Sequence, residues 1–466
     1  MRTRLFGQFV HLPFAVLTVV EAAWFFLAFI VASMLSFNVN LDGFAAQTWS
    51  MGLRAILFSV VLVTSLLAFG LYSARQRARI GGVAVRIAIA IGAAITVVTL
   101  FFAMLPGLWI GRGVLLMATF AALAGLALSR VVFSKVVDES LFKRRVLVYG
   151  SARNALPISK LRRRSDRRGF TMVGFVQPEG EECTVPRELL LDVPETLSAL
   201  CTRLDVDEVV VAMDDRRRNF PILDLLDCRL AGIDITELLT FLERETGRVR
   251  IDVLNPSWMI FGDGFRRDSL RLFSARALDL LASSAILLIT WPLMLATMIA
   301  IKLEEGFAAP VFYAQPRVGL GGHVFNVLKF RSMRQDAEAG GKAIWAKKGD
   351  SRVTRVGAFI RKCRVDELPQ ILCVFRGHMS FVGPRPERPA FVAELSEKIP
   401  YYVQRHCVKP GITGWAQLCY PYGSSEQDAL EKLQYDLYYI KNNNLLFDLA
   451  ILLQTAEVVF MGQGAR

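Results

Sequence analysis

Asp366 and Glu367 are adjacent carboxylates in the stretch Val365-Asp366-Glu367-Leu368-Pro369-Gln370, and a little further on Arg385 is fixed between Pro384 and Pro386. A carboxylate can serve as a nucleophile, and a rigidly held guanidinium can clamp phosphate oxygens. The chain has 4 histidines and contains no Ser-His-Asp order, no HExxH and no Walker lysine loop, so hydrolase and P-loop chemistries find no support. Acid, base or nucleophile work then falls on carboxylates, and Asp366 is the natural nucleophile. The competing reading makes Asp366 the cap of a helix containing residues 371–375 and the proline-flanked arginine part of a surface loop.

The 7 cysteines show no CxxC pair, which argues for reduced thiols facing a cytosol. His406, Cys407 and Cys419 could hold zinc or could be scattered core groups, and the scattered reading is preferred. The balance of 55 Lys+Arg against 42 Asp+Glu, a net charge of +13, suits anionic headgroups, nucleotide phosphates or nucleic acid. The basic residues flank apolar runs instead of forming a separate arm, so no nucleic-acid partner is expected.

A hydrophobic share of 53% over 466 residues implies several domains, part of them in lipid. Four apolar runs open the chain at 12–37, 53–71, 83–105 and 108–133, each long enough to cross a hydrocarbon core of about 30 Å as a helix. The first is too long, and too poor in a cleavage signal, to be a removed leader. Arg2 and Arg4 precede the first run, Arg75, Arg77 and Arg79 separate the second and third, and Lys135, Lys143, Arg144 and Arg145 follow the fourth. The remaining loops carry little beyond Arg54 and Arg112, so both ends of the bundle are expected on the cytoplasmic side. Glu21, inside the first run, is by default a functional candidate, with a structural pairing to a residue such as Arg86 equally open.

Past residue 141 the pattern changes to short valine-rich strands alternating with helical stretches, which predicts a small parallel, Rossmann-like α/β domain over 141–260. Its first turn, Gly150-Ser151-Ala152-Arg153-Asn154-Ala155, lacks the second and third glycines of a dinucleotide fingerprint, so a regulatory or packing domain is expected. The division is therefore 1–140, a four-span bundle; 141–260, the α/β domain; and 261–466, a mostly helical catalytic domain. Within the last, a fifth apolar run at 277–301 carries Pro292 near its middle, with basic residues on both flanks. A helix that enters the bilayer, breaks at Pro292 and returns to the same face satisfies both signals, where a straight span would leave one basic flank outside. The apolar stretch near the C-terminus, interrupted by Asp448, Gln454 and Glu457, reads as a helix lying on the interface or packed on the domain.

Residues 329–333 (KFRSM), 366–370 (DELPQ), 381–387 (FVGPRPE) and 409–417 (KPGITGWAQ) together resemble the bacterial sugar transferase family, the monotopic polyprenyl-phosphate sugar-1-phosphate transferases, over roughly residues 276–462. The front half is similar to that of long members which start capsule, O-antigen or exopolysaccharide synthesis. The resemblance implies transfer of sugar-1-phosphate from a UDP-sugar to undecaprenyl phosphate at the cytoplasmic face of a bacterial inner membrane, releasing UMP, and it implies a re-entrant anchor. The mechanism that fits has Asp366 attack the β-phosphate to leave an aspartyl phosphosugar that undecaprenyl phosphate then takes up, with ping-pong kinetics and a helix N-terminus keeping the carboxylate ionised. Glu367 becomes the candidate Mg2+ ligand and Arg385 the phosphate fork. Lys329 and Arg331 either add phosphate contacts or form packing salt bridges. A homodimer is compatible with this arrangement.

The chain departs from the usual family pattern in having Arg276 preceded by Ala275, Trp291 before Pro292, and Cys373 where asparagine is common. Two other readings stay open. A nucleotide-sugar dehydratase or epimerase would require a Tyr-x-x-x-Lys pair, which the sequence lacks, and a non-enzymatic scaffold would tolerate substitution of Asp366.

Overall fold

A computed structural model describes residues 2–5, 8–36, 41–69, 71–72, 80–104, 111–136, 143–161, 169–192, 196–215, 219–254, 259–260, 269–334, 352–420, 423 and 425–460. Arg75, Arg77 and Arg79, which enter the orientation argument, lie outside them. The chain divides into two compact units, Met1–Thr246 and Gly247–Arg466.

The first unit begins with a short antiparallel hairpin, β1 (Arg2–Leu5) with β2 (Gln8–His11), and four long helices, α1 (Leu12–Ser36), α2 (Leu41–Ala68), α3 (Ile80–Met104) and α4 (Arg112–Val136). At 25 to 28 residues each is about 38–42 Å long. Apolar side chains surround them on all sides: Phe25, Phe29, Phe58, Leu62 and Val98 fill the interior, while Val19, Leu35, Phe120 and Leu128 point outward where a bilayer would cover them. Close approach of α1 to α4 depends on Gly125, since a Cβ there would fall 1.7 Å from the Trp24 indole, which donates to Ala121 O at 2.9 Å. Glu21, 1% exposed, finds its cation in Arg130, whose Nε lies 3.0 Å away, and also accepts from Ser129 at 2.8 Å and Tyr72 at 2.5 Å. Every acceptor of this carboxylate is used within the bundle, which makes its role structural.

A parallel sheet follows, built from β3 (Arg144–Tyr149), β4 (Phe170–Val176), β5 (Glu208–Val211) and β6 (Asp234–Glu237) in the order β4-β3-β5-β6. Val146, Leu147 and Val148 are all fully buried, the continuous apolar run of a strand covered on both faces. The intervening helices are α5 (Leu156–Ser159), α6 (Leu197–Arg203) and α7 (Ile222–Leu230), and α8 (Leu238–Thr246) follows β6.

The second unit starts at Gly247, ahead of the expected boundary at 260. Val249 N–H donates to Gln434 O at 3.0 Å, Trp415 Nε1 donates to Gly247 O at 2.8 Å, and Arg248 pairs with Glu431. Helix α9 (Ser269–Glu305) follows, 37 residues long, and its helical assignment runs through Pro292. The antiparallel hairpin β7 (Phe312–Val318) and β8 (Val324–Phe330) leads to α10 (Arg355–Lys362), a 3-10 turn Val365–Glu367 and α11 (Gln370–Arg376). Strand β9 (Ser380–Val382) pairs in parallel with β10 (Gly411–Thr413), flanked by α12 (Pro389–Lys398), α13 (Trp415–Cys419), α14 (Glu426–Asn442) and α15 (Leu445–Phe460). One apolar cluster joins Met294 and Ile301 of α9 to Phe330, Ile360 and Val365, so α9 packs against the carboxylate turn.

Candidate active site

Asp366 and Glu367 sit in a sharp reversal between two helices. Helix α10 ends at Lys362, and Arg364 takes a left-handed conformation, φ 59° and ψ 16°, that redirects the chain into the 3-10 turn. A non-glycine residue pays about 1–2 kcal/mol for this geometry. The Arg364 guanidinium lies 3.6 Å from Glu367 Oε2, within the turn that it creates.

Glu367 collects cations from three directions. Besides Arg364, Lys329 Nζ stands 3.5 Å and Arg385 Nη2 3.4 Å from its Oε1. Lys329 reaches it because Phe330, the next residue of β8, is buried in the apolar cluster beneath the turn, and successive strand side chains point to opposite faces. Burial alone would raise the Glu367 pKa, but Arg385, Lys329 and Arg364 outweigh it and hold the carboxyl below its ordinary value. Burial depresses the Lys329 ammonium, with Glu367 pulling the other way.

Asp366 is different in kind. Its Oδ1 is buried and has no hydrogen-bond partner among the described residues. Position 369, not 366, is the N-cap of α11, and no side chain caps that helix. Asp366 is therefore not the helix cap that the sequence left open. Burial, then the neighbouring Glu367, pushes its pKa up against Lys329, Arg361 and Arg364. The expected ionising influence of a helix N-terminus is thus overridden by desolvation and a like charge. This buried carboxylate oxygen, beside a cluster of cations, thus keeps a lone pair that no hydrogen bond from the described residues occupies.

Arg385 is held by backbone. Gly383 N–H donates to Thr413 O and Gly411 N–H to Pro384 O, both at 2.9 Å. A Cβ on Gly383 would lie 2.3 Å from Lys409 O, one on Gly411 2.1 Å from Gly383 N, and one on Gly414 2.2 Å from Gly383 O. The segments 381–387 and 409–417 therefore interlock main chain against main chain, and only glycine permits it. Arg317 Nη1 donates to Pro386 O at 2.9 Å, and Gln417 Oε1 accepts from Arg385 Nη1 at 3.3 Å. Arg331 is not among the cations on Glu367: its Nε donates to Pro310 O at 3.0 Å, a packing contact.

Sequence reasoning missed the group behind the loop. Arg405, 7% exposed, donates to Asp436 Oδ2 at 2.9 Å, to Tyr402 Oη at 2.5 Å and to Arg385 O at 3.1 Å. Burial lifts the Asp436 pKa to about 6, and Arg405 pulls it back. The available clue was a carboxylate set between Tyr435 and Leu437 on a helix whose neighbours Leu433 and Ile440 are core residues.

No three His, Cys, Asp or Glu side chains come together as a metal cage among the described residues, His406, Cys407 and Cys419 included. The site nevertheless suits a cation such as Mg2+, which takes one or two carboxylates and completes its shell with substrate phosphates and water. Glu367, kept ionised and 20% exposed, is a fitting donor, and the unpartnered Asp366 Oδ1 adds acceptor capacity beside it.

The carboxyl end of the parallel sheet is the other place where such a fold binds ligands. There three main-chain donors of the first turn are already taken: Ser151 N–H donates to Glu181 at 2.8 Å, while Arg153 and Asn154 N–H donate to Asp214 at 3.3 and 2.8 Å. Asp214 N–H in turn donates to Glu181 at 3.0 Å.

Residues 270–462 match the family model described as bacterial sugar transferase. Over 242 residues, the chain is 43% identical to a UDP-N-acetylgalactosamine-undecaprenyl-phosphate N-acetylgalactosaminephosphotransferase of Aeromonas hydrophila, covering 52% of this chain and 56% of that protein. It is 32% identical over 370 residues to a UDP-glucose:undecaprenyl-phosphate glucose-1-phosphate transferase of Xanthomonas campestris pv. campestris, covering 77% and 74% of the two chains. A protein of the same description from Klebsiella pneumoniae is 32% identical over 330 residues, 69% of each chain.

Proposed function

The chain belongs to the bacterial sugar transferase family, and from that premise we propose that it moves sugar-1-phosphate from a UDP-sugar to undecaprenyl phosphate, releasing UMP. The observation that carries this reading is the buried, unpartnered Oδ1 of Asp366 next to Glu367, Lys329 and Arg385.

In the first step an Asp366 carboxylate oxygen bonds to the sugar-bearing phosphorus, and the bond from that phosphorus to the bridging oxygen breaks. UMP leaves with the oxygen and its electron pair. In the second, a phosphate oxygen of undecaprenyl phosphate bonds to the same phosphorus and Asp366 departs as carboxylate, giving undecaprenyl diphosphosugar. Arg385 and Lys329 offset negative charge on the phosphoryl oxygens, and Glu367 keeps both cations aligned. Glu367, with Asp366 beside it, would hold Mg2+, which when bound neutralises charge on the diphosphate.

Helix α9 is read as re-entrant. Both of its ends bond to the same unit, and a straight helix would set Arg276 and Glu304, 28 residues apart, about 42 Å from each other. The segment that both hold is wound into two short helices and a tight turn, which favours a bend at Pro292. The basic flanks support reading the catalytic unit as lying on the cytoplasmic face of the inner membrane, where the product would start a polysaccharide repeat unit. The parallel sheet is read as a Rossmann-like module.

The test is UMP release by the full chain in detergent with undecaprenyl phosphate and Mg2+, from UDP-glucose, UDP-N-acetylgalactosamine and related donors. Wild type should release UMP from one or two of them, and Asp366→Asn, folded, should release none. UMP release by Asp366→Asn at the wild-type rate would remove Asp366 from the chemistry.

A further inference from the structure

Three charged residues of α9 hold the segments that surround the carboxylate pair. Arg276 donates from Nη1 to Val374 O and from Nη2 to Phe375 O, both at 2.8 Å, closing the carbonyl end of α11. One turn further on, Asp279, 3% exposed, accepts from Ser380 Oγ and Phe381 N–H, both at 2.9 Å, and so pins the start of β9, the strand that runs into the Arg385 loop. At the far end of α9, Glu304 accepts from Arg355 N–H at 2.8 Å and Val356 N–H at 2.9 Å, capping α10 beside the Thr354 hydroxyl. The helix before the carboxylate turn, the helix after it and the strand leading to Arg385 therefore all end on one apolar helix.

The contacts within the carboxylate site come from elsewhere. Glu367 is met by Lys329 of β8, Arg364 of the turn and Arg385 of the proline loop, none of them from α9. The donor-binding cluster is thus internally tied, and α9 fixes where that cluster stands. Charges on a membrane helix are costly unless paired, and here each is matched to main-chain ends or a hydroxyl by charge-assisted bonds.

We propose that Arg276, Asp279 and Glu304 are positioning residues that set the depth of the Asp366–Glu367 turn relative to the bilayer, so that the step using the lipid acceptor depends on them and the step using the nucleotide donor does not. This rests on the transferase reading above. A membrane-borne phosphate arrives at a height fixed by its headgroup, whereas a soluble UDP-sugar can follow the cluster wherever it sits.

The experiment uses the full chain in phosphatidylethanolamine–phosphatidylglycerol vesicles, comparing wild type with Glu304→Gln, Arg276→Gln and the charge-retaining Glu304→Asp. Donor chemistry is read as exchange of labelled UMP into UDP-sugar without acceptor, and acceptor chemistry as transfer to undecaprenyl phosphate. Depth is read from a nitroxide on the exposed Cys363, with Cys183, Cys407 and Cys419 replaced by serine, by its relative collision with lipid-dissolved oxygen and an aqueous nickel chelate. Glu304→Gln and Arg276→Gln should keep exchange within about twofold, lose about tenfold or more in transfer with a raised KM for the lipid, and shift the nitroxide; Glu304→Asp should recover much of the transfer. Equal loss of both steps without a change in depth, or undiminished transfer, would overturn the proposal. Should wild type carry out neither step, the transferase reading fails, and the depth measurement alone then decides: a shift supports the clamp and a constant depth refutes it.

Discussion

Arg405 and Asp436 offer a test in which stability and activity should separate. Arg405→Met keeps most of the side chain's apolar stem and removes its bonds to Asp436 Oδ2, to Tyr402 and to Arg385 O. It leaves Asp436, 2% exposed, without its cation, and breaking a buried pair from one side costs about 3–5 kcal/mol. For a domain of this size that is a fall in Tm of about 6–20 °C. Removing both partners in Arg405→Met/Asp436→Leu leaves no orphaned charge, and such replacements are often within about 1 kcal/mol of neutral, so most of the lost Tm should return. Activity should not return with it. In both variants the Arg385 carbonyl has lost its donor, and a phosphate fork displaced by about 1 Å costs on the order of tenfold to a hundredfold in rate. Thermal unfolding in detergent and UMP release from the same preparations decide the matter. A double variant that regains both stability and activity would show that the pair only stabilises the fold. A single variant that loses under about 1 kcal/mol would mean the pair is far less buried than the structure has it.

Gly383→Ala should destabilise by about 1–3 kcal/mol and lower UMP release sharply, because its Cβ would sit 2.3 Å from a main-chain oxygen that cannot move aside; a fully active variant measured by the same release assay would contradict the interlock of the two segments. The acid limb of the pH–rate profile should lie above the ordinary aspartate value of 3.8, since burial and Glu367 raise the Asp366 pKa and attack needs the ionised form. By linkage, a raised carboxyl binds its proton more tightly when folded, so its contribution makes stability fall as pH rises from the unfolded value through the folded one; absence of the Asp366→Asn difference in unfolding across that window would count against it. Chelation with EDTA should abolish UMP release and readdition of Mg2+ restore it, whereas release that persists under chelation would leave Glu367 as a charge organiser alone.

Asp366, Glu367 and Arg385 are legible in the sequence as adjacent carboxylates and a proline-flanked guanidinium, whereas Lys329 is reached only through the family resemblance, and the structure brings these four together. Arg331 does not join them. Counted along the strand it shares a face with Lys329, but β8 ends at Phe330 and the chain then follows Val311 and Pro310 of the neighbouring segment. Arg405 and Asp436 are 31 residues apart, in a 3-10 segment and a long helix, so no local spacing links them. The roles of Arg276 and Glu304 were hidden for a related reason. Flanking charge on an apolar helix reads first as topology, and only the folded chain shows which helix ends these charges meet. In the bundle, hydropathy located the spans, yet α2 begins at Leu41, well before its apolar stretch, because helix continues as long as backbone bonds can form.

The α/β module shows why a fold class does not carry a ligand with it. In a nucleotide-binding sheet the first turn offers main-chain donors to a diphosphate, and glycines keep that approach open. Here the turn retains one constrained glycine, Gly150 at φ 134°, whose Cβ would meet the Ala212 backbone at 2.6 Å. The donors that follow it face Glu181 and Asp214. A phosphate entering this turn would have to displace two carboxylates and tolerate their charge nearby, which is repulsive at every distance that matters. The carboxylates thus do for the turn what a bound anion does elsewhere: they satisfy its amides and hold β3, β5 and α5 in place. In the first unit Glu181 and Asp214 are each engaged by main-chain donors, whereas Asp366 Oδ1 in the second is buried without a hydrogen-bond partner among the described residues. That contrast, more than the presence of carboxylates as such, is what sets the proposed nucleophile apart from the structural acids of this chain.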